Sequence, residues 1–261
     1  MQVLPHTSET MKKYQAAIQK WTSQYENMGF PYWVFIHDAQ PISLIAIGPE
    51  PVMLLAPVGA IMASIHLVTL DVGEGVAQEL AARSRKLAQE NGAAYAFLQI
   101  PSERRELIDV FTQQGFETVA RSVIMMRPLE HIPDTGDELE YERVGRQDTP
   151  DFLRLVRVHM SGSPDIILEK MLKNLSEIPS HILDMWYQGE LLYAARKRGN
   201  TVGVLDLSPQ SETSISNIGV SPEHRRKGFG RQMLIFALGL LKDQGLDTAG
   251  LRVHADNEGA R

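Results

Sequence analysis

A strand, a turn and a helix follow one another without a gap between Asn217 and Arg231. The segment reads NIGVSPEHRRKGFGR, so an apolar strand enters a turn and a helix begins directly after two glycines. The N–H groups that open a helix have no partners within it, and glycine lets a ligand approach without a Cβ in the way. Four cationic side chains surround the junction: Arg225, Arg226, Lys227 and Arg231. The pattern predicts a cradle for phosphate, although a solvated basic helix start with a glycine turn is the simpler alternative.

The two halves of the chain share one order of predicted elements: a β-hairpin, a strand, a glycine-bearing loop, a helix and a strand. A shift of 155 residues places Gly73 on Gly228 and Gly75 on Gly230. Since a domain usually holds about 100 to 200 residues, the length of 261 residues favours two. We therefore predict an internal duplication.

A stretch rich in proline, glycine and acidic residues separates the halves at 128–138. Its lack of periodicity indicates a linker, so we predict a first domain at 1–130, a linker at 131–138 and a second domain at 139–261. Helical spacing predicts one helix over Ser8–Met28. In the second half we expect two helices starting near Asp148 and Asp165, and then a strand at Ile182–Tyr187.

Composition excludes several classes of protein. Hydrophobic residues make up 43% of the chain and charged residues 22%, which is typical of a packed globular protein. With no cysteine and no paired histidine spacing, we expect no disulfide and no metal site. The net charge of −6 argues against a nucleic-acid partner. The chain shows no long apolar span and no secretory signal, so we expect a cytoplasmic protein without membrane association.

The spacing R-x-x-G-x-G is present as Arg225, Gly228 and Gly230, with Val220 and Pro222 upstream. This loop resembles the pyrophosphate loop of the Gcn5-related N-acetyltransferase (GNAT) family, most of all the branch that acetylates protein N-termini. The resemblance covers about residues 139–261. It implies an α+β fold of two tandem acyl-CoA N-acyltransferase-like domains, each a mixed, mainly antiparallel sheet flanked by helices.

The first half resembles a degenerate copy of the same domain. Its loop, Leu70–Gly75, is shorter, has no arginine and places two carboxylates where phosphates would lie. Coulomb repulsion there opposes a polyanionic ligand. We therefore expect this half to support the structure or to shape the acceptor cleft.

The resemblance implies transfer of an acetyl group from acetyl-CoA, as cosubstrate, to a primary amine by direct attack. The alternative is a non-catalytic module with the same fold that senses CoA or binds a protein. The amine is the expected partner, and a homodimer is a further expectation because dimers are common in the family. The residues expected to bind the cosubstrate are Ile218, Gly219, Val220, Arg225, Arg226, Lys227, Gly228, Phe229, Gly230, Arg231 and Asn257.

The catalytic groups depart from the family pattern. Arg252 stands where the branch that acetylates protein N-termini has its acid residue, and Glu212 and His254 are the remaining candidates for a base. The acid tyrosine of the family would fall beyond Arg261, so either the chain is truncated or another group or water protonates the thiolate. The second copy also lacks the helix and closing strands that follow in the first, so we expect a truncated domain with an unpaired sheet edge.

Overall fold

The computed structural model describes residues 1–50, 55–134, 136, 138–175, 178 and 180–259. They form two compact units, Met1–Thr118 and Val119–Arg261. Apolar residues at Val52–Leu55 also predict a strand, and the helix that starts near Asp165 is predicted to end near Glu177. Both predictions, and part of the linker at 131–138, lie partly outside the described residues. Among the described helices, none is both long and apolar enough to cross a bilayer.

The first unit contains one five-stranded sheet. A 3₁₀ helix over Glu9–Tyr14 precedes α1, so the first part of the helix predicted over Ser8–Met28 is wound more tightly. The strands run in the order β1-β2-β3-β4-β5, antiparallel except for the parallel pair β4 and β5. The elements are β1 (Gln2–Pro5), α1 (Gln15–Met28), β2 (Tyr32–His37), β3 (Gln40–Pro49), β4 (Ile61–Leu67), α2 (Glu74–Glu90), β5 (Tyr95–Phe97) and α3 (Arg105–Gln113).

Alternation along the strands gives this sheet two buried faces. Val34 and Leu44 pack with Ile18 of α1 on one face. Phe35 and Ile45 lie one residue further along their strands and pack with Leu80 of α2 on the other face. Since successive strand side chains point to opposite sides, continuous apolar strands indicate a sheet covered on both faces.

The second unit contains one six-stranded sheet in the order β6-β11-β10-β9-β8-β7. Only β10 and β11 are parallel. As in the first unit, a helix connects the parallel pair, and α7 begins 155 residues after α2, as the predicted duplication requires. The elements are β6 (Ser122–Pro128), β7 (Glu140–Arg143), α4 (Thr149–His159), α5 (Ile166–Asn174), α6 (Ser180–Gly189), β8 (Leu191–Lys197), β9 (Asn200–Leu207), β10 (Ile215–Val220), α7 (Phe229–Asp243) and β11 (Thr248–His254).

Helices cover both faces of the second sheet. Leu205 and Leu207 of β9 pack with Met233 of α7. Val204, which points to the opposite face, packs with Phe152 and other apolar residues of α4 and α5. These two sheets with flanking helices confirm the predicted α+β tandem fold.

One predicted strand is a helix. Residues 182–187 lie within α6, whereas the apolar run over Ile182–Tyr187 led to the prediction of a strand. A short apolar run without strict alternation does not separate a strand from a buried helix. The start predicted near Asp165 is confirmed, because its carboxylate accepts hydrogen bonds from the backbone N–H groups of Ile167 and Leu168 at 2.9 and 3.2 Å and caps α5.

The sheet edge expected to be unpaired is paired. β6 runs antiparallel to β11 along its whole length, from Thr248 opposite Pro128 to His254 opposite Ser122. The expectation of an open edge was wrong because the closing strand precedes the rest of the domain in sequence. For the same reason the two units meet at 118/119, earlier than the boundary drawn from composition.

Candidate functional site

The backbone between β10 and α7 turns twice through the left-handed region. Arg226 has φ +62° and Gly228 has φ +86°. Gly228 is the N-cap of α7, and its carbonyl accepts the hydrogen bond from the N–H of Gln232 at 3.2 Å. Left-handed residues that alternate with right-handed or extended ones point neighbouring N–H groups into one concavity. The loop therefore combines a set of converging donors with the positive end of a helix dipole.

Space beside the loop glycines is open. Among the described residues, a Cβ built on Gly228 meets no heavy atom within 4 Å, and one on Gly230 meets only a methyl group of Val220 at 3.7 Å. The side chains of Arg226, Lys227 and Arg231 are exposed. An anion can thus reach the N–H groups at the start of α7 without displacing protein atoms.

The side chain of Arg225 makes its described contacts within the protein. Its guanidinium donates hydrogen bonds to the carbonyl oxygens of Val220, His159 and Ser161, each at 3.0 Å. The last two carbonyls lie at the C-terminal end of α4, where carbonyls have no helical partner and a cation is favoured. The side chain of Arg225 therefore connects the loop to the end of α4 through hydrogen bonds to backbone carbonyls.

Arg226 and Asn257 converge from distant parts of the sequence. A Cβ built on Gly259 would lie 3.8 Å from Nη1 of Arg226 and 3.8 Å from Oδ1 of Asn257. The N–H of Asn257 donates to the carbonyl of His254 at 3.0 Å, which fixes the turn after β11. The structure thus brings two predicted cosubstrate contacts together. By contrast, the Phe229 side chain is buried in the core, so only its backbone N–H is available to a ligand.

The edge of β10 that faces β11 is unpaired over much of its length. Between these strands Ile215 is paired with Leu251. The other edge of β10 pairs with β9 as far as Val220. Within the described residues, Ile218, Gly219 and Val220 therefore have a strand neighbour on one side only. A Cβ on Gly219 would lie 2.8 Å from Cγ of Met160, so glycine is required for close packing against the end of α4. An exposed strand edge of this kind binds an extended ligand through its backbone.

The structure does not bring the two candidate bases together. Glu212 is exposed in the turn between β9 and β10. His254 ends β11, and its side chain is largely buried. Its Nδ1 accepts a hydrogen bond from the N–H of Asp256 at 3.3 Å and lies 4.0 Å from that carboxylate.

A carboxyl pair near the separation of β10 from β11 was not predicted. Asp206 of β9 is 2% exposed and accepts a hydrogen bond from Nδ2 of Asn217 at 2.9 Å. Burial raises the pKa of Asp206 well above its usual range, and the nearby charge of Glu190 raises it further. Burial also raises the pKa of Glu190, which accepts a hydrogen bond from the hydroxyl of Ser208. An acidic residue within the apolar strand Val202–Leu207 was the available signal.

The corresponding loop of the first unit is built differently. Gly73, the N-cap of α2, has φ −63°, and Glu74 lies in the first helical turn. Asp71 forms an ion pair with Arg104. Because a carboxylate occupies the start of this helix and the glycine is not left-handed, the loop disfavours a phosphate.

The first unit also contains a cavity of about 350 Å³ near the end of the β4–β5 pairing. Trp21, Tyr25 and His66 contribute to its walls. Nε2 of His66 lies 2.6 Å from the hydroxyl of Tyr25 and 3.0 Å from that of Ser64. Burial lowers the pKa of His66 to about 4, so the imidazole is neutral near pH 7.

Comparisons with known proteins agree with this geometry. The model of the acetyltransferase (GNAT) family matches residues 165–261. No curated protein sequence matches the chain.

Solved structures match over most of the chain. A tandem GNAT protein from the clavulanic acid biosynthesis pathway is 13% identical, with 98% of this chain and 91% of that chain covered and a TM-score of 0.58. A GCN5-related N-acetyltransferase from Sphaerobacter thermophilus is 14% identical over 87% of this chain and 72% of that chain, with a TM-score of 0.57. A GNAT-family acetyltransferase from Colwellia psychrerythraea is 11% identical over 100% and 92%, with a TM-score of 0.51. At these identities the likeness shows the fold.

The family model thus matches the part of the chain that contains the loop between β10 and α7. The solved structures show that the chain as a whole has a tandem GNAT-like fold.

Proposed function

We propose that this protein is an N-acetyltransferase that transfers an acetyl group from acetyl-CoA to a primary amine. The observation that carries the proposal is the pair of left-handed residues, Arg226 and Gly228, at the start of α7. Left-handed residues that alternate with other conformations point neighbouring N–H groups into one concavity, and the Cβ position of Gly228 is open among the described residues. The second unit binds the cosubstrate, because the first unit has carboxylates at the corresponding position.

The CoA pyrophosphate would accept hydrogen bonds from the N–H groups of residues 228–231. The pantetheine would lie along residues 217–220 of β10, as an added strand does. Arg226 and Asn257 converge beside the loop and would contact the same end of the cosubstrate. The thioester would then lie where β10 and β11 separate.

In the reaction, the neutral amine attacks the thioester carbonyl carbon, a C–N bond forms, and the C–S bond breaks to release CoA thiolate. Holding both reactants in place supplies much of the rate enhancement. The nitrogen must lose a proton, and a general base assists this step. The structure does not select among amines, so a small amine, a peptide N-terminus and a lysine are all candidate acceptors.

Titration calorimetry with acetyl-CoA tests the binding site. Gly228 and Gly245 both have φ +86°, and a Cβ on either meets no heavy atom of the described part of the chain within 4 Å. Gly228→Glu and Gly245→Glu therefore carry the same backbone strain at opposite ends of α7. We expect micromolar binding to the unchanged protein and to Gly245→Glu, and none to Gly228→Glu. Equal affinity in both variants would refute the loop as the binding site.

Release of CoA thiol in the presence of amines tests the activity. We expect turnover of acetyl-CoA with at least one of benzylamine, glucosamine, spermidine and glycinamide. Binding of acetyl-CoA without turnover across the panel would favour the alternative, a non-catalytic CoA-sensing module. Its other form, protein binding at an open sheet edge of β11, loses its basis because β6 covers that edge.

A further inference from the structure

Asp206 lies on the face of the sheet that α4 and α5 cover. Two of its strand neighbours on this face are apolar, since Val204 precedes it by two residues and Leu192 pairs with it from β8, whereas Asn217 pairs with it from β10. An isolated carboxylate in such surroundings costs several kcal/mol unless it is paired or protonated. A charged residue type at this position therefore requires a specific reason.

Glu190 is a second carboxyl group that acts on Asp206. It lies directly after α6, is half-buried, and is near enough for its charge to raise the pKa of Asp206. Among the described side chains, Oδ1 of Asp206 is buried without a hydrogen-bond partner, because Asn217 donates to Oδ2. Two neighbouring carboxyl groups can share a hydrogen bond only if one of them carries a proton. The unpaired oxygen and the pKa shifts thus both indicate a pair that holds one proton.

A chain of hydroxyls connects this pair with the surface. The hydroxyl of Ser208 donates to Oε2 of Glu190 and lies 2.5 Å from the hydroxyl of Ser216, which is exposed. Ser216 is the bulged residue of β10, because the pairing register with β9 shifts between Ile215 and Asn217. Bulges are common beside active sites, where they redirect a side chain. This bulge immediately follows the one recorded β10–β11 pair, so the exposed end of the chain lies where the parallel strands separate.

We propose that Glu190 and Asp206 form the proton-accepting site for the acceptor amine, reached through the hydroxyls of Ser216 and Ser208. This inference rests on the proposed N-acetyltransferase function. As the amine nitrogen bonds to the thioester carbon, its proton passes to Ser216, Ser216 passes one to Ser208, and Ser208 passes one to Glu190. The CoA thiolate leaves and takes up one proton from the pair, which returns the pair to its single-proton state.

Asp206 is a positioning residue in this scheme, and Glu190 is the acceptor. Before the reaction the pair carries one negative charge, which also attracts a cationic amine. The substrate class is therefore an amine whose nitrogen reaches the bulge of β10.

Other charged groups on the surrounding elements have their own contacts. Asp184 of α6 forms an ion pair with Arg146, and Nδ1 of His159 on α4 lies 2.7 Å from the carbonyl oxygen of Leu155. Arg143 of β7 stacks on the ring of Tyr193, 5.4 Å from its centroid. Glu212 is exposed in the adjoining turn.

The test compares Glu190→Gln, Asp206→Asn and Ser216→Ala in the full chain with the unchanged protein. Asp243→Asn, an exposed carboxylate at the far end of α7, is the matched control. Thiol release with the four amines gives kcat, KM and the pH profile, and calorimetry gives the acetyl-CoA affinity. Infrared difference spectra at pH 7 report a protonated carboxyl band.

We expect Glu190→Gln and Asp206→Asn to lower kcat by about 100-fold or more, the usual effect of losing a general base. Ser216→Ala should lower kcat while the domain stays folded. The acetyl-CoA affinity should be unchanged, and Asp243→Asn should match the unchanged protein. The fall in rate at low pH should disappear in Glu190→Gln. The infrared band should be present in the unchanged protein and absent from both carboxyl variants.

Contrary outcomes separate this inference from the proposed function. Loss of a general base is expected to lower kcat by ~10²-fold. If kcat of Glu190→Gln stays within about threefold of that of the unchanged protein, the inference is overturned and the proposed function stands. A loss in Glu212→Gln without one in Glu190→Gln would do the same, since the base would then be Glu212. A protonated carboxyl band that persists in both variants would overturn the shared proton. No turnover by the unchanged protein would overturn the proposed function itself.

Discussion

Arg225→Met tests whether the first arginine of the loop supports the fold or binds phosphate. Its guanidinium donates to the carbonyls of Val220, His159 and Ser161, each at 3.0 Å. A hydrogen bond from a charged donor contributes about 1.5 to 3 kcal/mol when it is shielded. Because Arg225 is exposed, about 1 kcal/mol for each bond is the appropriate value. We therefore expect Arg225→Met to lose about 2 to 3 kcal/mol of the free energy of unfolding.

The matched variant is Arg226→Met, whose side chain is exposed and lies beside Asn257. We expect it to leave stability within about 0.5 kcal/mol, as surface substitutions do, and to weaken acetyl-CoA binding. Urea unfolding followed by circular dichroism gives the stabilities, and calorimetry gives the affinities. Arg225→Met would contradict this expectation if it unfolded like the unchanged protein and lost acetyl-CoA binding. In that case Arg225 contacts the cosubstrate.

Three further predictions concern stability, and urea unfolding measures each of them. A Cβ on Gly250 would lie 2.3 Å from the carbonyl oxygen of Glu212, so Gly250→Ala should cost about 1 to 3 kcal/mol. Gly239→Ala, in open space within α7, should instead raise the free energy of unfolding by up to about 1 kcal/mol. If the two alanine variants had equal effects, the close packing at Gly250 would be contradicted. The folded pKa of His66, about 4, lies below its unfolded value of 6.5, so the unfolded chain binds the extra proton. Stability should therefore fall by about 3 kcal/mol as the pH drops through this window, and His66→Gln should flatten that slope. Asp165→Ala removes the cap of α5 and should cost about 1 kcal/mol; no loss would mean that the cap is not formed.

Local features of this fold could be predicted from the sequence. The cap at Asp165 and the glycine-bearing start of α7 depend on residues close in the chain, so composition and spacing indicate them directly. The duplication could also be predicted, because Gly73 and Gly75 recur as Gly228 and Gly230 at a constant offset of 155 residues. Residues 182–187 of α6 were assigned wrongly because a short apolar run has no decisive period.

Features that depend on distant residues could not be predicted. The pairing of β6 with β11 joins strands more than 100 residues apart, and nothing in either strand specifies its neighbour. The contacts of Arg225 with α4 depend on where a helix far away in sequence ends. Likewise, Glu190 and Asp206 meet only after β8 and β9 have paired, so the sequence offered no more than an acid within an apolar strand.

The central claim is that the backbone at the start of α7 binds the pyrophosphate of CoA. Titrating CoA into ¹⁵N-labelled protein reports each backbone N–H group separately. We expect the largest shifts at the amides of Gly228, Phe229, Gly230 and Arg231, and little change over Val72–Gly75 in the first unit. Saturable shifts centred on Val72–Gly75, or none at the start of α7, would contradict the claim.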